Sequence, residues 1–134
     1  MRPKTVIGSN CVIGHLTVFE GSSSVGDGTL IHAQCHITKG VTIGKNVFIA
    51  PFFVGANDKR MCHAREDMEF KIEGYTIEDG ARLAIGVTIL PGVTIGSNAM
   101  IGAGSLITKD IPSNSIAYGT PARVIEEVPE SERI

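Results

Sequence analysis

A six-residue repeat runs through most of this 134-residue chain and restricts its possible folds more than any other feature. Divided into sixes from Thr5, the sequence begins TVIGSN, CVIGHL, TVFEGS, and eight of the first nine hexads carry a large apolar residue in the third place. The exception is Gly55, and after an interruption the pattern resumes at Tyr75 with Ile or Leu in the third place of six more hexads. Such a constant period indicates stacked repeat units, each packed on its neighbours.

The first place of each hexad is mostly small or β-branched, as at Thr5, Cys11 and Ser23. Places one and three of a strand point to the same side, so each hexad predicts a short strand with one small and one large inward residue. The rest of the hexad, rich in the chain's 16 glycines, turns a corner. Three hexads then close a triangular coil of about 18 residues. The expected fold is all-β, a parallel β-helix of about five coils forming one domain over residues 1–134.

Two segments depart from the repeat. Residues 59–74 fit no hexad and are rich in charged side chains, which predicts a loop extruded from the prism. Residues 111–124 are rich in proline and turn formers, so we expect the coils to stop there. The short C-terminal extension that follows is compatible with a helix or a strand.

Composition excludes several classes of function. The net charge is −2 with no basic cluster, which argues against nucleic-acid binding. No apolar run is long enough for a membrane span or a secretory signal. Three cysteines at irregular spacing form neither a disulfide framework nor a zinc motif, and we expect a reducing, cytoplasmic location.

The repeat, together with the stretch from Leu90 to Ile125, resembles the hexapeptide-repeat acyltransferases. That resemblance implies left-handed coiling, a homotrimer, acetyl-CoA as co-substrate and no metal. Residues 44–58, GKNVFIAPFFVGAND, are most similar to the nucleotide-sugar N-acyltransferases, although Ala56 replaces their usual threonine. This implies a small-molecule acceptor, an amino sugar or sugar nucleotide. The similar maltose- and galactoside-type O-acetyltransferases carry a catalytic histidine where this chain has Arg60.

Acyl transfer from a thioester needs an oriented nucleophile, a proton acceptor and a stabilised oxyanion. Asn57 and Asp58 end the last hexad before the loop, where the amide could hold an attacking amine and the carboxylate could accept its proton. The other interpretation of this pair is a simple turn. His63 in the loop is a candidate general base, or an exposed loop residue.

Cofactor and acceptor contacts are expected on the outside of the prism. The family resemblance implies a coenzyme A groove formed by four small residues in outward or corner places, Ala84, Gly86, Gly102 and Gly104. It also implies that Lys109 and Arg123 bind the phosphates of coenzyme A. These glycines could equally serve the corners alone, and the cations could be ordinary surface charges. His32 and His36 take outward places and are candidate substrate contacts.

Three other functions fit the same fold. One is O-acetyl transfer to a hydroxyl acceptor. Another is a γ-type carbonic anhydrase, with His32, His36 and His63 as zinc ligands. The third is a trimeric scaffold without catalysis.

Overall fold

The computed structural model describes residues 1–134 and contains fifteen strands of two residues each, followed by a longer hairpin. The first three coils comprise β1 (Val6–Ile7), β2 (Val12–Ile13), β3 (Val18–Phe19), β4 (Ser24–Val25), β5 (Leu30–Ile31), β6 (His36–Ile37), β7 (Thr42–Ile43), β8 (Phe48–Ile49) and β9 (Val54–Gly55). The next two coils comprise β10 (Thr76–Ile77), β11 (Arg82–Leu83), β12 (Thr88–Ile89), β13 (Thr94–Ile95), β14 (Met100–Ile101) and β15 (Leu106–Ile107). Each strand coincides with places two and three of a hexad.

Every third strand joins the same sheet, which gives the prism three faces. Face A is β1-β4-β7-β10-β13, face B begins β2-β5-β8-β11-β14, and face C is β3-β6-β9-β12-β15, all paired in parallel. We call the edges where the chain passes between them the A–B, B–C and C–A corners. The predicted left-handed parallel β-helix of about five coils is therefore confirmed.

The interior is filled by the third-place residues. From Phe19 onward these side chains are almost fully buried, and Ile31, Ile49, Ile89 and Ile101 have no exposed surface at all. Residues of the same face stack on one another because neighbouring coils pair in register, as with Ile89 and Ile107. This continuous apolar ladder is the main source of stability.

First-place hydroxyl and thiol groups fasten successive coils together. Each donates a hydrogen bond to the backbone carbonyl 15 residues further along the chain, at 2.7–3.4 Å: Cys11 to Gly26, Thr17 to His32, Ser23 to Thr38, Thr29 to Gly44, and Cys35 to Ala50. The inward polar atoms thus satisfy carbonyls at the corners of the next coil. We refer to these five bonds as the hydroxyl–thiol latches.

One hexad reverses the usual order of large and small residues. Gly55 takes the third place on β9, and the ring of Tyr75 fills the space that a side chain would occupy there. A Cβ atom on Gly55 would lie 2.0 Å from Cε1 of Tyr75. Tyr75 also meets Phe53 edge to face, with ring centroids 5.7 Å apart. The exception in the repeat is thus compensated by a large first-place residue on the return from the loop.

The loop leaves the C–A corner after β9 and returns before β10, as the interrupted repeat predicts. Its base is closed by an antiparallel bridge between Asp58 and Ile72 and by a 2.8 Å bond from the Glu73 N–H to the Asn57 carbonyl. The two loop ends therefore leave and re-enter the prism side by side.

The C-terminal end differs from expectation. Instead of stopping the coils, residues 111–124 contribute β16 (Ser115–Gly119), which pairs in parallel with β14 as a further strand of face B. A second strand, β17 (Ala122–Glu127), then turns back antiparallel to β16. The prolines caused no break because Pro112 and Pro121 lie in the turns beside β16, where no ladder donor is needed. The tail is a strand that ends in one 3₁₀ turn, Glu130–Glu132.

Candidate functional site

Asn57 and Asp58 lie at the base of the loop and both hold its backbone. The Asn57 side-chain amide donates to the Lys39 carbonyl at 3.0 Å, and Asp58 Oδ1 accepts the backbone N–H groups of Arg60 and Met61 at 3.2 and 2.7 Å. No protein donor reaches the second side-chain oxygen of Asp58 or the amide oxygen of Asn57. The pair therefore serves the predicted turn and still presents two free acceptor oxygens.

Residues of the loop line two hollows that are open to solvent. One, of about 460 Å³, is lined by Asp58, Cys62 and His63 together with two apolar side chains, Met68 and Phe70. The structure thus places His63 and Asp58, two of the predicted catalytic residues, on the same open hollow of the loop.

The second hollow, of about 470 Å³, is lined mainly by loop charges: Lys59, Arg60, Asp67, Met68, Glu69, Lys71 and Glu73. Three cations and three anions line it, and Lys71 pairs with Glu73 at 3.3 Å. It is a polar surface beside the predicted site, with no net excess of positive charge.

The predicted groove residues gather on one edge of the prism, the B–C corner. Gly86 and Gly104 occupy the same corner place in successive coils with φ of +70° and +67°, a conformation that glycine adopts without strain. Nothing lies within 4 Å of a Cβ built on Gly104, whereas the same place holds the side chain of Phe52 one coil before Gly86. In the last two coils this corner place therefore has no side chain, and the backbone is exposed there.

The other predicted coenzyme A contacts lie at different places on the prism. Ala84 precedes Gly86 on this corner, and Gly102 is covered by Tyr118, whose Cβ would lie 2.6 Å from a Cβ on Gly102. Gly102 is thus required for the close approach of β16. Arg123 pairs with Tyr118 across the hairpin, near this end of the corner. Lys109 follows β15 at the C–A corner, across face C.

The two outward histidines lie apart. His32 is at the B–C corner, where its ring meets Phe48 edge to face at 5.3 Å. His36 is on face C, and its Nε2 lies 2.9 Å from Oε1 of Glu20. The partnership with Glu20 was not identified from the sequence. A signal for it exists, because Glu20 lies two residues after Val18, the residue that pairs with His36 on the neighbouring strand.

Beneath this pair lies a buried hydroxyl. Burial raises the pKa of the Tyr75 phenol far above its usual value, and the negative charge of Glu20 adds to the rise. The Tyr75 and Thr38 hydroxyls face each other, but neither makes a hydrogen bond of acceptable geometry. Burial likewise raises the pKa of the Cys35 thiol, so both groups stay protonated.

The outer surfaces of the prism are not equivalent. Exposed apolar side chains gather on faces B and C and at the corner between them: Val12, Leu16, Val18, Phe48, Phe52, Val54 and Ile85. The outward places of face A after Val6 are instead hydroxyl residues, Ser24, Thr42, Thr76 and Thr94. One long edge of the molecule is thus apolar and the opposite face polar.

No three His, Cys, Asp or Glu side chains are grouped as metal ligands would be, so His32, His36 and His63 do not form a zinc site. The three cysteines are free. The structure contains no helix with the length and apolar character needed to cross a membrane.

Comparison with known proteins connects this architecture to a family. The sequence profile described as "Bacterial transferase hexapeptide (six repeats)" matches residues 4–39, 22–52 and 74–109, well over half of the chain. The galactoside O-acetyltransferase of Escherichia coli is 36% identical over 133 residues, which cover 95% of this chain and 66% of that protein. The Lactococcus lactis galactoside O-acetyltransferase is also 36% identical, over 94% of this chain and 64% of its own length. The chain thus spans just under two thirds of these two relatives.

Solved structures agree with this comparison. A galactoside acetyltransferase in complex with coenzyme A superposes with a TM-score of 0.80 at 35% identity, covering 97% of this chain and 68% of the other. A hexapeptide-repeat acetyltransferase of Vibrio cholerae in complex with acetyl-CoA gives a TM-score of 0.82 at 25% identity, covering 93% and 72%.

Proposed function

The chain belongs to the bacterial hexapeptide-repeat transferase family, and on that premise we propose that it transfers an acetyl group from acetyl-CoA to a small-molecule acceptor. The observation that carries this proposal is the bare B–C corner at Gly86 and Gly104. The N–H groups of both glycines bond to Pro51 and Ile85 within the prism, so the corner offers backbone carbonyl groups to an extended ligand. They lie beside the exposed apolar side chains of Phe52 and Ile85. The related structures with coenzyme A and acetyl-CoA bound support the same ligand here.

The protein's task in this reaction is mainly positioning. The thioester is already activated, so holding the donor and acceptor together accounts for much of the rate. We assign the acetyl-CoA arm to the corner formed by Ala84, Gly86 and Gly104, with Arg123 near one end as a partner for phosphate. Lys109 lies farther away, at the C–A corner on the other side of face C. We propose it as a second partner for phosphate.

For the acceptor we propose an amino sugar or a nucleotide-linked amino sugar. An amine attacks as its free base, and the two unpaired oxygens of Asn57 and Asp58 are suited to hold an N–H and take its proton. The hollow next to them is lined by three cations and three carboxylates, which suits a polar acceptor such as a sugar.

A hydroxyl sugar is the second candidate acceptor. The 36% identity with two galactoside O-acetyltransferases favours it. A hydroxyl has a far higher pKa than an ammonium group and requires a general base, for which His63, in the same cavity as Asp58, is a candidate.

Trimer formation is part of the proposal. An interface between copies of the chain would bury the apolar edge formed by faces B and C. In a closed ring of three copies, the polar face A would then stay in contact with solvent. We also propose a cytoplasmic location, where acetyl-CoA is available and the three free cysteines stay reduced.

The cofactor assignment is tested by filling the corner. Gly104→Gln places a side chain in a conformation that Gln34 already adopts, with φ of +58°. We expect acetyl-CoA affinity measured by calorimetry to fall at least about tenfold, or ~1.4 kcal/mol. The matched control is Gly92→Gln, another open positive-φ corner, at the C–A edge. Equal binding by both variants would contradict the groove.

The acceptor is tested with paired amino-sugar and hydroxyl-sugar substrates, following release of the coenzyme A thiol. We expect Asn57→Ala and Asp58→Asn each to lower kcat/KM about tenfold or more with amino sugars, and His63→Ala to have the smaller effect. If only hydroxyl sugars react and His63→Ala abolishes turnover, the amino-sugar assignment is wrong. No transfer to either class by the wild-type protein would refute the enzyme assignment itself.

A further inference from the structure

One ionisable pair interrupts the apolar surface at the start of face C. The outward residues of β3 and β9, Val18 and Val54, are both 45% exposed, and His36 stands between them on β6. Glu20 follows β3 at the C–A corner, and its Oε1 atom lies 2.9 Å from Nε2 of His36. An ionised carboxylate can only accept a hydrogen bond, so Nε2 is the donor whether the ring is neutral or charged. The pair is therefore held together in both protonation states of the imidazole.

No other group of the chain compensates the charge of this pair. The groups beneath it are the Cys35 thiol and the Tyr75 phenol, and burial raises the pKa of both, so they stay neutral. Beside it, β3 and β9 present only the two valines, and the other ionisable residues near these strands lie at the corners: His15, Lys39 and Asp58. None of these three forms an ion pair with either member of the pair. The charge of the pair is therefore set by His36 and Glu20 alone.

Contact between copies of the chain would remove this pair from water. The side chains of His36 and Glu20 are 43% and 36% exposed, so both still have hydrated surface to lose. When the imidazole is charged, the two side chains form a hydrogen-bonded pair with no net charge. When it is neutral, one uncompensated negative charge remains on Glu20. An unbalanced charge costs more to bury among apolar side chains than a hydrogen-bonded pair of opposite charges. Burial of face C therefore favours the charged imidazole.

We infer that His36 and Glu20 make the association of this chain with further copies of itself depend on pH. This inference rests on the trimer of the proposed function and adds how that trimer is regulated. Each chain takes up one proton from solution at His36 when face C is buried against another copy. Histidine is the side chain that changes charge between pH 5 and 8. Association is therefore strongest at the acidic end of this range, where the imidazole already carries the proton, and weakens as the pH rises.

Sedimentation over a series of protein concentrations, at pH 6 and at pH 8 with equal ionic strength, tests the inference. The quantity compared is the midpoint, the concentration at which half of the chains are assembled. We expect the wild-type midpoint to be at least about tenfold higher at pH 8 than at pH 6. His36→Gln keeps a hydrogen-bond donor but cannot take up a proton, so its midpoint should be the same at both pH values. Glu20→Gln leaves the charged imidazole without a carboxylate, so its midpoint should be higher at pH 6, the reverse of wild type.

The matched control is His32→Gln, which changes another histidine of the apolar edge, one that stands beside Phe48 and has no carboxylate partner. This variant should keep the wild-type ratio between the two midpoints. Equal wild-type midpoints at pH 6 and pH 8 overturn the inference and leave the trimer standing. A pH dependence that His36→Gln retains, or that Glu20→Gln does not reverse, also overturns it. A wild-type chain that stays monomeric at every concentration and at both pH values refutes the proposed trimer and the inference with it.

Discussion

The contact between Gly55 and Tyr75 permits a quantitative test of the packing. A methyl group added at Gly55 would lie 2.0–2.4 Å from Cε1, Cζ and the hydroxyl oxygen of the Tyr75 ring, well inside van der Waals distance. Gly55→Ala should therefore destabilise the protein by about 1–3 kcal/mol, the usual cost of overpacking. Tyr75→Val should cost about 3 kcal/mol or more, because it empties a fully buried site.

The two changes should compensate each other. In the double variant the new methyl enters space that the ring has left, so the pair should be less destabilised than the sum by about 1–3 kcal/mol. Urea unfolding at one fixed protein concentration measures this coupling energy, since oligomer stability depends on concentration. In thermal melts each 1 kcal/mol corresponds to about 4 °C for a chain of this size.

A control pair of substitutions that do not contact each other shows the additive behaviour expected for independent sites. Gly55→Ala combined with Ile13→Val, in the first coil, should be additive within about 0.5 kcal/mol. If Gly55→Ala with Tyr75→Val were equally additive, the ring would not occupy the space at Gly55, and the explanation of the reversed hexad would fail.

Three further predictions follow from the core and the surface. Ile89→Asp places an unpaired carboxylate in a fully buried position and should cost several kcal/mol, enough to prevent folding; a soluble variant that melts like wild type would disprove the hexad register. The raised pKa of Tyr75 keeps the folded phenol neutral, so its contribution to stability is complete below the ordinary pKa of 10.0 and is lost as pH rises above it, by about 1.4 kcal/mol per pH unit. Tyr75→Phe should remove that alkaline component in urea titrations from pH 9 to 11, and should not lower stability at pH 7 because the hydroxyl is unpaired. Val54→Glu, on face C, should dissociate the proposed trimer in sedimentation experiments, whereas Thr42→Glu on face A of the same coil should leave it intact.

The strands and the core were predictable because one rule, inward residues at places one and three of each hexad, repeats with a constant period. The rule places Ile89 inside and Thr88 outside without knowledge of any neighbour. Its failure at Gly55 was visible in the sequence, but its compensation was not, because Tyr75 lies 20 positions later, beyond a loop that breaks the count. Likewise the sequence does not indicate β16, because proline usually ends a strand and only the position of Pro112 and Pro121 in the flanking turns makes them compatible with it.

The candidate site was predictable only in part, since sites depend on side chains that the repeat does not control. The corner glycines Gly86 and Gly104 follow the 18-residue coil and were placed together correctly. The bond between His36 and Glu20 depends on a corner residue turning back over a strand, which no periodic pattern specifies. The loop has no period at all, so the hollow that His63 and Asp58 both line became visible only in three dimensions.

Because the buried isoleucines are nearly identical in every coil, their packing does not by itself determine which coil lies beside which. Sliding part of the chain by one hexad would place Ile95 where Ile101 stands and leave the apolar interior almost unchanged. The interlocked pair of Gly55 and Tyr75 breaks this uniformity, because the ring fits only beside the one hexad that has glycine in its third place. A version of this chain made perfectly repetitive would gain apolar contacts and lose the features that select a single alignment, so its ground state would be a mixture of shifted stacks.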